Sequence, residues 1–255
     1  MAERTLRVCA LYPDLMNIYA DRGNLLFLRR RCEWRGLGFA LTGAGIGDPV
    51  DPDAHDLFYL GGGQDRDQAL CARDLAEDKR GALHAAAGRG AVVFAVCGGY
   101  QLLGSGYELD GDELPGAGLV DLRTVRVDGP RLIGNVAIRT RLRGAGGVAL
   151  ELAGFENHGG RTHLGPGATP LGEVLKGHGN NGRDGHEGVL GGPAGTVVGT
   201  YLHGPLLPKN AEFADWLIAT ALGLDLTALA PLDDALERAA HAAARRAAGV
   251  SAPRR

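Results

Sequence analysis

The stretch Ala95-Val96-Cys97-Gly98-Gly99-Tyr100-Gln101 puts a thiol where an apolar run ends and a helix begins. A sharp strand-to-helix turn strains the backbone and crowds neighbouring side chains, so glycines beside the cysteine are what it requires. Such a turn presents the sulfur, favours its thiolate at the start of the helix, and lets the Gly98 N–H face a developing oxyanion. This is equipment for nucleophilic acyl transfer. A second oxyanion donor has to come from another amide beside the thiol. Gly62, in Gly61-Gly62-Gly63 after the apolar segment Asp56 to Leu60, is placed for it, because ligands gather at the carboxyl ends of parallel strands.

A thiolate nucleophile needs a base. His203, in Thr200-Tyr201-Leu202-His203-Gly204-Pro205, follows another apolar run and is the first candidate. Its rival is His158, in Gly154-Phe155-Glu156-Asn157-His158-Gly159, which also follows a strand-like segment. His84 and His241 fall in helical stretches and read as solvated, while His178 and His186 belong to the Gly-rich run KGHGNNGRDGHEG. That run lacks the GK[ST] of a phosphate-binding loop and does not join a strand to a helix, so no nucleotide site is expected on this chain.

The elements that must position these residues alternate over the first hundred positions. Leu6–Tyr12, Phe39–Leu41, Asp56–Leu60 and Ala91–Val96 read as strands. Asn24–Gly36 and Asp65–Arg89 read as helices, and another helix opens near Gln101. Continuous apolar strands alternating with helices mark βαβ units and a parallel sheet covered on both faces. Residues 105–200 instead show short alternating runs with many glycines, the pattern of short, partly antiparallel strands. Thr196–Leu202 is one more strand, Pro208–Leu222 an amphipathic helix with proline at its start, and Asp233–Ala248 an Ala/Arg-rich helix. The reading is an α/β fold in three layers. Residues 1–222 form one catalytic domain, and residues 223–255 form a helical tail with a frayed end.

Composition narrows the function. The chain has 255 residues, a net charge of −3 and no basic stripe, which argues against a nucleic-acid binder. No apolar run approaches the ~20 residues of a membrane span, and the N-terminus enters a strand directly, without a signal-peptide pattern. Cys9, Cys32, Cys71 and Cys97 show no CxxC or zinc spacing, so the first three read as buried thiols in a reducing compartment. The 42 glycines have no collagen-like period and read as turns and close backbone approaches.

Taken together, VCGGYQLLG, YLGGGQDRDQ and GTYLHGPLLPKN resemble the class I, triad-type glutamine amidotransferases, in their cobyric-acid-synthase-like branch. LYPDLMNIY, DRGN and GFENHGGRT extend the resemblance to the glutaminase subunits of lipid II isoglutaminyl synthases. It runs from about residue 6 to 220 and does not include the tail. The resemblance implies that Cys97 attacks L-glutamine and His203 serves as acid and base, with Gly62 and Gly98 holding the oxyanion. It also implies that Arg131 contacts the substrate, with Gln101 a further candidate. Ammonia would pass to a Mur-ligase-like synthetase subunit that amidates the D-glutamate α-carboxyl of lipid II. ATP and Mg²⁺ would sit on that partner, with no cofactor on this chain. Cytoplasmic residence follows, with at most peripheral association with the membrane.

One departure stands out: most triad amidotransferases carry Glu two residues after the histidine, and here that position is Pro205. The orienting acid is then either Glu156 or a residue of the partner. Two alternatives stay open: a related amidotransferase acting on a different carboxylate, and a non-catalytic subunit of the same fold.

Overall fold

The computed structural model describes residues 4–17, 22–109, 111–142 and 149–250. Ile18, Tyr19 and Asp21 of the N-terminal motifs, and the last five residues, lie outside these. The chain opens with β1 (Thr5–Leu11), α1 (Arg22–Glu33), β2 (Gly38–Ala44) and β3 (Leu57–Leu60). Next come α2 (Asp65–Asp74), a π-turn over Leu75–Lys79, α3 (Arg80–Gly88), β4 (Val92–Val96) and the short α4 (Gly98–Gln101). Strands β5 (Gly106–Leu109), β6 (Asp112–Pro115), β7 (Leu122–Arg126), β8 (Leu132–Arg141), β9 (Ala149–His158) and β10 (Gly160–Leu164) follow. The last strands are β11 (Gly172–Lys176), β12 (His186–Glu187), β13 (Val189–Gly191) and β14 (Val197–Thr200). Helices α5 (Ala211–Ala221) and α6 (Ala235–Ala247) complete the described chain.

The central sheet has six strands in the order β13-β14-β4-β3-β1-β2. All its pairings are parallel except β13 with β14. All five residues of β4 and all four of β3 are buried, as their unbroken apolar runs demand. One face packs on α1 and α5 through Leu28, Cys32, Phe213 and Leu217. The other packs on α2 and α3 through Cys71, Ala72, Leu83 and Ala86. The second half adds two four-stranded sheets, β10-β7-β5-β6 and β12-β11-β8-β9, antiparallel except for β5 with β7. This is the three-layer α/β architecture expected from the sequence.

Some details differ from that expectation. The helix anticipated from Asp65 to Arg89 contains the π-turn. There the buried Lys79 ammonium meets the Asp74 carboxylate, which also accepts the Tyr12 hydroxyl at 2.6 Å. The α5 region begins as a 3₁₀ turn over Leu207–Lys209, and the α-helix starts only at Ala211. His84 and His241 are not free in solvent: each has a ring nitrogen 2.9 Å from a carbonyl, of Ala117 and of Lys209 respectively. The tail is docked. The fully buried Arg31 of α1 donates to Asp215 of α5 at 2.5 and 2.6 Å, and to Asp234 at 2.7 Å. Arg245 of α6 reaches Glu151 at 2.6 Å.

Candidate active site

Cys97 sits between β4 and α4 with φ 52° and ψ −110°. Among the described residues, only Tyr12 shares a positive φ without being glycine. Such a backbone is held only where its surroundings fix it, and here both flanks do. The Cys97 N–H donates to the carbonyl of Thr200 at 2.9 Å, which ties the turn to the end of β14. The Gly99 N–H donates to the carbonyl of Gly61 at 3.1 Å, which ties it to the triglycine loop.

The glycines are required sterically. A Cβ on Gly99 would lie 2.5 Å from the Leu60 carbonyl oxygen, and one on Gly98 would lie 3.0 Å from the Gly63 nitrogen. The backbones of the elbow and of the triglycine loop are therefore in direct contact, with the Met16 side chain packed behind Gly63 and Gly98. Gly62 is buried in the middle of that loop.

A cleft of about 340 Å³ opens over the thiol, at the small end of the range for small-molecule sites. Cys97, Gly98, Gln101, Arg131 and His158 line it. Arg131 holds Asn157 through Nε to Oδ1 at 2.7 Å and through Nη2 to the carbonyl at 2.8 Å. Sequence reasoning passed over Arg126, Gln68 and Tyr107, which also line the cleft. Arg126 pairs with Asp65 at 3.2 Å, so the cleft presents charge of both signs, as a zwitterion requires. Gln68 stood inside the YLGGGQDRDQ motif, which was its only signal; Arg126 had none.

Gln101 lines the cleft, but its amide is spoken for. Its Oε1 accepts from Gln68 Nε2 at 2.9 Å, and its Nε2 donates to the Tyr201 hydroxyl at 3.1 Å. Gln68 Nε2 also donates to the carbonyl of Gly98 at 3.2 Å, so this amide chain braces the elbow.

Both candidate histidines are buried. β14 runs parallel to β4 with Thr200 opposite Val96, so Cys97 and His203 leave the sheet at the same end of neighbouring strands. His203 is held by paired backbone hydrogen bonds with Phe155, at 3.2 and 3.0 Å. Burial first, then the charges of Lys209 and Arg131, push its imidazole down to about 4. His158 lines the cleft and His203 does not. The His158 Nδ1 donates to the Gly160 carbonyl at 2.8 Å, and burial pushes its imidazole down to about 3. Both rings are neutral near pH 7, the state in which imidazole accepts a proton.

Glu156 is buried, and its two oxygens accept the N–H groups of His178 and Gly179 at 2.6 and 2.9 Å. Its carboxylate lies 4.0 Å from His158 Nε2. Glu156 thus props the 177–179 turn beside His158. Cys9, Cys32 and Cys71 are free and buried, and burial pushes their thiols up to about 11, 12 and 12. Among the described residues, no helix is long and apolar enough to cross a membrane.

Fold and site together are those of an α/β protein with a cysteine at a strained strand-to-helix turn above a small cleft. Residues 7–211 match the CobB/CobQ-like glutamine amidotransferase domain, and the chain belongs to that family of glutamine-hydrolysing enzymes. It is 39% identical to the lipid II isoglutaminyl synthase (glutamine-hydrolyzing) subunit GatD of Staphylococcus aureus, across 85% of this chain and 84% of that one. It is 38% identical to the GatD subunit of Streptococcus pneumoniae, across 85% and 80%. The fold is also similar to the structure of PurLQS from Thermotoga maritima, with a TM-score of 0.54 and 21% identity over 87% of this chain and 97% of that one.

Proposed function

We propose that this chain is the glutaminase subunit of a lipid II isoglutaminyl synthase. The observation that carries this reading is the similarity to two GatD subunits across more than four fifths of the chain, over the elbow, the triglycine loop and the His203 block together. In this reading His203 takes the thiol proton of Cys97, and the sulfur attacks the side-chain amide carbon of L-glutamine. The Gly62 and Gly98 amides stabilise the oxyanion, and His203 passes a proton to the departing nitrogen. The C–N bond breaks, ammonia leaves, and a glutamyl thioester remains. His203 then takes a proton from water, which attacks the thioester and returns glutamate and thiol. His203 is assigned this role over His158 because it leaves the sheet at the same end as Cys97, from the neighbouring strand. Arg131 receives the α-carboxylate of glutamine through its planar fork.

The partner in this reading is a Mur-ligase-like synthetase, which uses ATP and Mg²⁺ to activate the D-glutamate α-carboxyl and takes up the ammonia. Pro205 stands where an orienting acid is usual, and both oxygens of Glu156 bind backbone amides. The resemblance to the glutaminase subunits suggests that the acid orienting His203 comes from the partner. The complex resides in the cytoplasm and meets its lipid substrate at the inner membrane face through the partner.

The test is glutamine hydrolysis with and without a co-purified Mur-ligase-like subunit, followed by mass spectrometry of lipid II. Slow hydrolysis alone, stimulation by the partner and amidated lipid II are expected. Full activity of the isolated chain would overturn the donated acid. Ammonia delivered to another carboxylate would overturn the acceptor. Failure of a glutamine-like electrophile to label Cys97 in the complex would leave a non-catalytic subunit.

A further inference from the structure

The segment KGHGNNGRDGHEG supplies none of the acyl-transfer groups, yet Asn180, Asn181 and Glu187 within it are buried. A buried polar group is costly unless partnered, so where these side chains bond is informative. The Glu187 carboxylate accepts the Tyr201 N–H at 2.6 Å and the Thr200 hydroxyl at 3.0 and 3.1 Å. The Thr200 Oγ1 in turn accepts the Leu202 N–H at 3.0 Å, and the Thr200 carbonyl accepts the Cys97 N–H. The two residues between β14 and His203 are thereby fixed, and the same threonine touches the elbow.

Asn180 makes a second grip. Its Oδ1 accepts the Tyr100 hydroxyl at 3.0 Å and the Gly188 N–H at 2.8 Å, while its Nδ2 donates to the Gly188 carbonyl at 3.1 Å. Tyr100 lies on α4, three residues after Cys97. Past Val96 and Thr200 both chains leave the sheet, and regular strand pairing no longer sets the distance between thiol and imidazole.

We propose that residues 177–188 are a positioning clamp for the catalytic pair, with Glu187 and Thr200 holding the His203 strand and Asn180 holding the elbow helix. These are positioning residues, since none of them touches the thiol's cleft. The inference rests on the assignment of Cys97 and His203 as nucleophile and base. A displacement of about 1 Å in such a pair costs on the order of a hundredfold in rate.

The experiment compares Thr200→Val, Thr200→Ser and Glu187→Gln in the full complex. It reads kcat and KM for glutamine, the rate of Cys97 alkylation by iodoacetamide at pH 7, and the melting temperature. Thr200→Val removes the hydroxyl at nearly constant shape. It is expected to lower kcat about tenfold to a hundredfold, with KM within about twofold, and to slow alkylation. Thr200→Ser keeps the hydroxyl and should recover most of both rates, and Glu187→Gln should fall between. Equal losses in Thr200→Val and Thr200→Ser, or wild-type rates in Thr200→Val, would overturn the clamp. Absence of glutamine hydrolysis in the wild-type complex would instead count against the glutaminase reading, because the alkylation series does not depend on substrate.

Discussion

The imidazole of His158 lies flat on the phenol ring of Tyr201, with centroids 3.5 Å apart and planes 3° apart. With Nδ1 bonded to Gly160, this fixes the ring from its face and its edge. The nitrogen left to accept a proton, Nε2, lies 4.0 Å from the Glu156 carboxylate, whereas His203 follows the strand beside that of Cys97. His203→Asn should therefore lower kcat by about 10²–10⁴-fold, and Cys97→Ala should abolish turnover. His158→Asn should retain turnover within about tenfold while losing about 1–3 kcal/mol of stability. Steady-state kinetics and urea melts of the three variants separate the roles, and the opposite ranking of the histidines would reverse the assignment.

The backbone contact between elbow and triglycine loop predicts two different failures. Gly99→Ala drives its new Cβ into the Leu60 carbonyl and should cost about 1–3 kcal/mol, read as a lower urea midpoint. Gly98→Ala presses on the Gly63 amide at a distance that needs only a small shift. It should leave stability nearly unchanged and lower kcat about tenfold or more by moving the oxyanion donors apart.

Arg131→Ala should raise KM for glutamine about tenfold and leave kcat within about threefold, the signature of lost uniform binding. An unchanged KM would move carboxylate recognition to Arg126, for which Arg126→Ala is the matching measurement.

In the isolated chain the His203 imidazole should titrate near pH 4 by NMR, since burial and two cations disfavour its charged form. A carboxylate brought by the partner favours that form and should raise the midpoint; no change on complex formation would argue against a donated acid. The stability linkage has a definite sign. Between about pH 6.5 and 4 the unfolded chain binds the proton that folded His203 refuses. Its contribution is therefore complete above pH 6.5 and lost as the pH falls to about 4. Urea midpoints of wild type and His203→Asn should converge across that window.

Arg31 anchors the tail, so Arg31→Leu leaves Asp215 and Asp234 without their common partner. A loss of about 3 kcal/mol is expected. Asp234→Asn should cost less and should expose α6 to trypsin at Arg238, Arg245 and Arg246. Limited proteolysis followed by mass spectrometry reads this directly.

The central sheet was legible because buried parallel strands such as Val92–Val96 are continuous apolar runs, and the elbow because two glycines follow the cysteine where the triglycine loop presses against the turn. The π-turn was not, since one extra residue in a helical ring leaves no periodic mark. The docking of α6 was hidden for a related reason: spacing does not tell which of Arg29, Arg30 and Arg31 turns inward. The Gln68–Gln101–Tyr201 chain joins residues up to 133 positions apart only after the sheet forms, so no local pattern announces it.

The parallel pairing of β4 with β14 also has a consequence for synthesis. The two strands are neighbours in the sheet but about a hundred residues apart in the chain. At ~5–20 residues per second, a ribosome takes about 5–20 s to travel between them. Throughout that interval the strand Val-Val-Phe-Ala-Val has one unpaired apolar edge, a template for aggregation. Nascent chains released before Val197 should therefore require chaperone protection, and Cys97 leaves the ribosome long before His203 has been made.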